Sequence, residues 1–294
     1  MTFVEDEIAS QPDCWAAVVE QAASFAAILP QPGERVAVVG CGTSWYMAQC
    51  YAAMREGAGL GHTDAFAASE TSTGRDYDRI VAITRSGTTT EVLDVLSRAR
   101  DRIPTIAITA DEATPVVAAA AEVIVLPFAD ERSVVQTRFA TTTLTLLRAH
   151  LGQDLSNAIA DAQVAVAEAL PDGAADRGQF TFLGRGWTVG LANEAALKMR
   201  EASLSWAESY PAMEYRHGPI SIGDARSLVW MLGAAPDGLR AEVSATGATW
   251  VSSALDPLAD LIRAQRLAIA VGHARGLDPD NPRNLSRSVI LDPA

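Results

Sequence analysis

The chain is predicted to be an α/β protein whose two halves each carry a parallel sheet. Three observations carry that expectation. Short continuous apolar runs recur, as at residues 36–39 and 80–83, and unbroken runs of this kind belong to strands buried on both faces of a parallel sheet. Helix-forming stretches separate them, and strand–helix alternation produces right-handed βαβ units. A Gly-x-Gly pair stands between a strand and a helix twice, Gly40/Gly42 and Gly184/Gly186, at one offset (184 − 40 = 186 − 42 = 144). That spacing is a weak internal repeat.

Taken in order, residues 4–28 form an amphipathic helix broken at Gln11-Pro12, and a proline in a first helical turn accounts for the break. Residues 35–39 are a buried strand that runs through Gly40, Cys41, Gly42, Thr43 and Ser44 into a helix ending near Gly57. A helix start of this kind exposes backbone N–H groups and binds anions. The G-x-G-x-x-G dinucleotide pattern is not met, because position 45 is Trp. Arg79–Ile83 is the next strand. Residues 84–90, Thr-Arg-Ser-Gly-Thr-Thr-Thr, lead from it into a helix from Glu91 to about Arg102. Capping needs one hydroxyl, and this loop has five, so residues 84–90 are expected to bind phosphate, with Arg85 as a charge-assisted donor. Strands at Thr105–Thr109 and 122–126 flank a short helix at 114–120. Residues 131–139 then enter an Ala/Thr/Leu helix to about Leu151, and a helical, acidic connector follows at 153–170.

The second half opens with a strand at 180–183, the Gly184-Arg185-Gly186 turn and a helix at 191–203. Glu194, Lys198 and Glu201 fall at i, i+4 and i+7 and share one helix face. Ala192, Ala196 and Met199 lie on another, suited to packing on a sheet. A Pro-interrupted segment ends Glu214-Tyr215-Arg216-His217-Gly218-Pro219. A surface Glu–Lys pair and a loop histidine are the competing reading of this spacing beside a catalytic cluster. Strands at 227–232 and Thr249–Ser252, a helix at 238–244 and a long helix at 257–275 complete the half.

Composition narrows the function. The chain has 294 residues, 49% of them hydrophobic, with no apolar run long enough to span a bilayer. The acidic start lacks a signal-peptide pattern. Cys14, Cys41 and Cys50 are an odd number without metal spacing, so free thiols in a reducing cytoplasm are expected. The net charge of −13 argues against nucleic acid. It leaves room for a phosphorylated small molecule held by helix N-termini and local arginines. His62, His150 and His273 have no spaced partners, and neither a metal nor a cofactor is expected. Lys198 is the single lysine among 23 basic side chains, which leaves 23 − 1 = 22 arginines.

The string Glu194-x-Ala196-Leu197-Lys198-x-Arg200-Glu201, then Ala207-Glu208-x-Tyr210, then Glu214-x-x-His217-Gly218-Pro219 resembles the sugar isomerase (SIS) family. The similarity is to its double-domain members and to the isomerase half of glucosamine-6-phosphate synthase. Glu7-Ile8-x-x-Gln11-Pro12, the loop at 84–90 and the tail at 278–289 resemble the same family, so the likeness runs from about Glu7 to Val289. It implies two tandem SIS domains, each a three-layer α/β/α sandwich with a flavodoxin-like parallel sheet. Their expected bounds are 31–152 and 177–294, with a helical segment at 1–30 and a connector at 153–176. The glutaminase domain of the synthase is not expected.

The resemblance also implies roles. Gly42, Thr43, Ser44, Thr84, Arg85, Ser86 and Thr89 fall in the phosphate-binding positions. Gln136 and Thr137, with Arg138, replace a Ser-Thr-Lys run that helps hold the sugar. Glu201 matches the base that moves a proton between C1 and C2, and His217 the ring-opening histidine, which reaches in from a neighbouring subunit. A homodimer with a shared active site follows. Glu194 and Lys198 share the helix face of Glu201, where a compact ammonium can steady an enediolate or form an imine. Arg287 stands where the synthase has an imine-forming lysine, and a guanidinium cannot act as that nucleophile. The expected activities are therefore aldose–ketose isomerisation or amino-sugar-phosphate isomerisation with deamination, on a hexose or hexosamine 6-phosphate. A sugar-phosphate sensor without chemistry is the alternative, and it would need the phosphate loop but not Glu201 or His217.

Overall fold

A computed structural model describes residues 2–72 and 74–291. The chain is mixed α/β with parallel sheets. In order its elements are α1 (Phe3–Ala9), α2 (Gln11–Phe25), β1 (Val36–Gly40), α3 (Thr43–Gly57), β2 (Thr63–Ala67), β3 (Arg79–Ile83), α4 (Thr90–Ala99), β4 (Thr105–Thr109), α5 (Val116–Ala119), β5 (Glu122–Val125), α6 (Arg138–His150) and α7 (Ser156–Ala167). There follow β6 (Gln179–Gly184), α8 (Thr188–Ser203), β7 (Ala207–Pro211), β8 (Ser227–Met231), α9 (Leu239–Ala245), β9 (Thr249–Ser252) and α10 (Pro257–Ala274). Two compact units emerge. One comprises Asp13–Arg132, Gln136–Leu155 and Ser286–Ala294; the other comprises Met1–Pro12, Ser133–Val135 and Ser156–Leu285.

The first unit is built on a five-stranded sheet of order β2-β1-β3-β4-β5, parallel throughout. β1 and β4 are buried at every residue: β1 carries the apolar run 36–39, and β4 flanks its apolar centre with buried Thr105 and Thr109. Ala37, Val39, Ile80 and Ala82 pack against Val95 and Leu96 of α4. Burying each such aliphatic side chain contributes about 1.5–3 kcal/mol, several times any helix propensity difference, so packing on the sheet sets where α4 lies. The strand order reverses between β1 and β3. In open parallel sheets that switch point, outside the carboxyl ends of the strands, is where ligands bind.

The second unit has a four-stranded parallel sheet of order β7-β6-β8-β9, the same arrangement without a fifth strand. Leu183, Val229 and Met231 form its core with Leu239 and Val243 of α9 and with Tyr215. As the sequence predicts, Ala192, Ala196 and Met199 of α8 are buried.

Two strands were not expected, β2 and β7. Both are edge strands of mixed polarity, Thr-Asp-Ala-Phe-Ala and Ala-Glu-Ser-Tyr-Pro, and neither shows the apolar run that marks a central strand. β7 ends on Pro211, which an edge tolerates.

The repeated glycines have one structural reason. A Cβ on Gly40 would lie 2.7 Å from the Ser44 backbone, and one on Gly184 would lie 2.2 Å from the Thr188 carbonyl oxygen. Ser44 and Thr188 are themselves 144 residues apart. Gly42 and Gly186 both take positive φ, 53° and 58°, which only glycine adopts freely.

Candidate functional site

In the five-stranded unit, the loop between β3 and α4 presents its hydroxyls together. Ser86 Oγ lies 3.5 Å from Thr89 Oγ1. The Ser288 hydroxyl joins them, accepting from Ser86 at 3.2 Å and from Thr88 at 3.0 Å and lying 3.4 Å from Thr89. The tail is pinned beside this loop by two further bonds. Thr90 N donates to the Val289 carbonyl (3.2 Å), and Leu291 N donates to Thr90 Oγ1 (2.9 Å). Beneath lies a cavity of about 30 Å³ lined by Ser44, Thr84, Ser86, Thr89, Gln136 and Arg287 among others. Ser86 and Arg287 also line a larger cavity of about 550 Å³ bordered by Thr88, Asp111, Thr114 and Asp130.

Thr84 is 4% exposed, and its hydroxyl has no hydrogen-bond partner among the described residues. An unmatched buried hydroxyl costs about 1–3 kcal/mol, so its place on the cavity wall points to a polar occupant. Cys41 lines the same cavity; burial, with the Glu91 charge nearby, pushes its thiol up to about 11.

Ser44, Thr84, Arg85, Ser86, Thr89, Gln136 and Arg287 therefore converge. The guanidinium of Arg85, expected as an anion donor, belongs to a residue on the cavity wall and also faces a protein carboxylate. It is buried, 3.6 Å from the Glu131 carboxylate, and donates to the Arg287 carbonyl at 3.0 Å. Thr137 is committed to Glu131 through its hydroxyl (2.8 Å) and its N–H (2.5 Å). Gly42 and Thr43 sit at the start of α3 but do not line this cavity. Arg287 pairs with Asp130 at 2.6 Å and donates to the Glu131 carbonyl. Sequence reasoning covered Thr88 only as part of the loop at 84–90 and missed Ser288 and Glu131. The tail hydroxyl carries no local signal, because its meaning depends on a contact 200 residues away.

In the four-stranded unit, α8 brings its charged face together as the i, i+4, i+7 spacing predicts. Lys198 Nζ lies 3.4 Å from Glu194 Oε1 and is hydrogen-bonded to Glu201 Oε2. The side chains of Lys198 and Glu194 are each 1% exposed and that of Glu201 is 19% exposed. A surface Glu–Lys pair is thus ruled out. Two carboxylates share one buried ammonium, and only Glu201 reaches solvent. Its carboxylate is oriented by Lys198 and still open to solvent.

His217 ends a 3-10 turn, Glu214–His217. Buried Tyr215 anchors the turn on the core, and Arg216 ties it to α9 through Glu242 at 2.7 Å. His217 itself is exposed and has no hydrogen bond or ion pair among the described residues. It is presented outward and is not bonded to Glu201 or Lys198. No group of three or more His, Cys, Asp or Glu among the described residues is placed to hold a metal ion, and no helix among them is long and apolar enough to cross a membrane.

No family model matches the chain. It is similar to glutamine–fructose-6-phosphate aminotransferases (isomerizing). With that of Nostoc sp. it shares 33% identity over 161 residues, covering 45% of this chain and 26% of the relative. With that of Methanothermobacter thermautotrophicus it shares 28% over 308 aligned positions, covering 88% of this chain and 52% of the relative. The chain thus spans about a quarter to a half of the length of these curated relatives. Among solved structures, a glucosamine-6-phosphate deaminase from Thermotoga maritima superposes with a TM-score of 0.80 at 26% identity, covering 97% of this chain and 99% of the other. A tagatose-6-phosphate ketose/aldose isomerase from Escherichia coli superposes with a TM-score of 0.83 at 19% identity, covering 99% and 96%. The latter likeness is one of fold. The SIS-type fold and the kinship with phosphosugar enzymes agree with the motifs.

Proposed function

We propose that the chain is an enzyme that moves a proton between C1 and C2 of a hexose or hexosamine 6-phosphate, as an aldose–ketose isomerase or an amino-sugar-phosphate deaminase. One observation carries this reading: four hydroxyls grouped at a strand-to-helix junction above a cavity whose wall holds the unpartnered Thr84 hydroxyl. That is a cradle for a phosphate, with the N–H groups at the start of α4 as further donors. Binding at the phosphate end supplies the energy that orients the sugar.

Ser44, Thr84, Ser86 and Thr89 hold the phosphate in this scheme, with Gly42 and Thr43 shaping the neighbouring turn. Gln136 reaches the sugar, and Thr137 positions it. Glu201 takes the proton, Lys198 steadies the enediolate charge, and Glu194 balances Lys198. His217 opens the ring, and its exposure agrees with service to a second copy in a homodimer. Arg287 anchors the tail on the Glu131 carbonyl and forms no imine. The nitrogen of a deaminated substrate is then the substrate's own. Moving the C2 proton of an open-chain 2-amino aldose to C1 gives a ketose imine, which water hydrolyses to ketose and ammonia. Each unit corresponds in this reading to one SIS domain, near 31–152 and 177–294 about a connector at 153–176, and the protein works in the cytoplasm without a cofactor.

The test is incubation with fructose 6-phosphate and with glucosamine 6-phosphate in deuterated water. The parent is expected to place deuterium at C1 or C2, and ammonia released from the amino sugar marks the deaminase. Glu201→Gln should lower labelling by about 10²–10⁴-fold with phosphosugar affinity nearly unchanged. A parent that binds the sugar and leaves both carbons unlabelled is a sensor, and the enzyme reading falls.

A further inference from the structure

Glu131 is fully buried and does not line the hydroxyl cavity, yet it touches three segments that do. Its Oε1 accepts from Thr137 N (2.5 Å), Thr137 Oγ1 (2.8 Å) and Arg138 N (2.8 Å), which fixes the start of α6 and the adjoining Gln136. Its Oε2 lies 3.6 Å from the Arg85 guanidinium, and both side chains are sealed from solvent. Its main-chain carbonyl accepts from Arg287. Arg85 closes the circuit by donating to the Arg287 carbonyl at 3.0 Å. The β3–α4 loop, the start of α6 and the tail therefore meet at one carboxylate.

A helix start can be capped by a serine or aspartate at the surface. A buried carboxylate–guanidinium pair carries a desolvation cost that often offsets its attraction, and such pairs are weak sources of stability. What the pair supplies here is geometry. A planar guanidinium offers several donors in a fixed fork, and this one spans a carboxylate on one side and a tail carbonyl on the other. The residue after that carbonyl is Ser288, whose hydroxyl completes the group formed by Ser86, Thr88 and Thr89.

We infer that Glu131 is a positioning residue. Through Arg85 it sets the phosphate loop, and through Arg85 and Arg287 it holds the tail so that Ser288 becomes a fourth hydroxyl of the cradle. It touches no ligand. The effect on ligand affinity rests on the phosphosugar reading above; the effect on the tail does not.

The experiment uses the full chain and two readouts. Trypsin cleavage after Arg287, followed without ligand by mass spectrometry of the fragment 288–294, reports tail release. Fructose 6-phosphate titration reports the cradle. Glu131→Gln keeps an acceptor for the Thr137 and Arg138 N–H groups but removes the charge facing Arg85. It is expected to speed cleavage and to weaken fructose 6-phosphate binding, each by about tenfold or more. Arg85→Lys keeps the charge but not the fork, so it should shift both readouts in the same direction even if the Glu131→Gln variant folds poorly. Asp130→Asn removes only an exposed ion pair and should leave both readouts within about threefold of the parent. Folded variants at Glu131 and Arg85 that are cut and bind like the parent overturn the inference. Faster cutting with unchanged affinity also overturns it, since the tail would then be held without serving the cradle. If the parent binds no phosphosugar, the functional reading fails, while the ligand-free cleavage still decides whether Glu131 holds the tail.

Discussion

The two units share a strand–glycine–helix scaffold and differ in what they mount on it. Gly40 and Gly184 leave room for the following helix, and Gly42 and Gly186 both take positive φ. On α8 the scaffold carries Glu194, Lys198 and Glu201. On α3 the positions 144 residues earlier are Cys50, Met54 and Gly57, with nothing to titrate in the neutral range. The loops after the third strands differ the other way. The β3–α4 loop has hydroxyls at five positions, whereas residues 232–238 after β8 read Leu-Gly-Ala-Ala-Pro-Asp-Gly and have none. Even the matched hydroxyls part company. Ser44 lines a cavity, while Thr188 accepts from Arg185 N at 2.8 Å and donates to the Leu232 carbonyl at 2.9 Å. One unit gathers hydroxyls around a cavity, and the other gathers two carboxylates around a buried ammonium. Duplicated architecture fixes where a site sits and leaves its chemistry to a handful of positions.

The sharpest way to break this contrast is at Lys198. Lys198→Met installs on α8 what α3 already has at Met54. It leaves Glu194 buried without its ammonium, so unfolding measurements should show a loss of about 3–5 kcal/mol. Pairing it with Glu194→Gln should restore a large part of that loss. A single variant as stable as the parent would mean that the cluster is open to water, and the division between the units would lose its energetic basis.

A smaller effect is expected at the matched hydroxyls. Thr89→Val should weaken phosphosugar binding by about 1.5–3 kcal/mol with little change in melting. Thr188→Val should do the reverse, lowering stability by about 0.5–1.5 kcal/mol and leaving affinity alone. Equal effects of both variants on binding would erase the distinction between a gripping loop and a structural one.

Much of this contrast was legible in the sequence. Helical spacing put Glu194, Lys198 and Glu201 on one face, because side-chain period is a local property. The hydroxyl-rich loop stood out because capping alone does not need five hydroxyls. The central strands were visible as apolar runs, and the half-exposed edges β2 and β7 were not. What the sequence lacked was tertiary partners. Arg85 reads as an anion donor, and only the fold shows that it also faces the buried Glu131 carboxylate. Ser288 was invisible as a cradle residue for the same reason, since sequence does not say that the tail returns to the β3–α4 loop.

A third test of the contrast concerns Cys41, whose counterpart at the 144-residue offset is Arg185. With its thiol pushed up to about 11 by burial, roughly one molecule in a thousand carries the reactive thiolate at pH 8. Alkylation by iodoacetamide should be slow there and rise about tenfold per pH unit until pH approaches 11, because deprotonation is what burial opposes. A saturating phosphosugar should slow it further. Modification at pH 8 at the rate of an open cysteine would mean that the cavity wall admits water, and the five-stranded unit would lose its enclosed pocket.

The solitary lysine gives the molecule an unusual chemical silence. Acylating dyes and crosslinkers that target side-chain amines find one such group in this sequence, and in the folded chain it lies 1% exposed between two carboxylates. The rate at which Lys198 becomes tagged is therefore a clock for local opening of α8. No other lysine adds background, so breathing of α8 can be timed in the wild-type sequence by mass spectrometry alone.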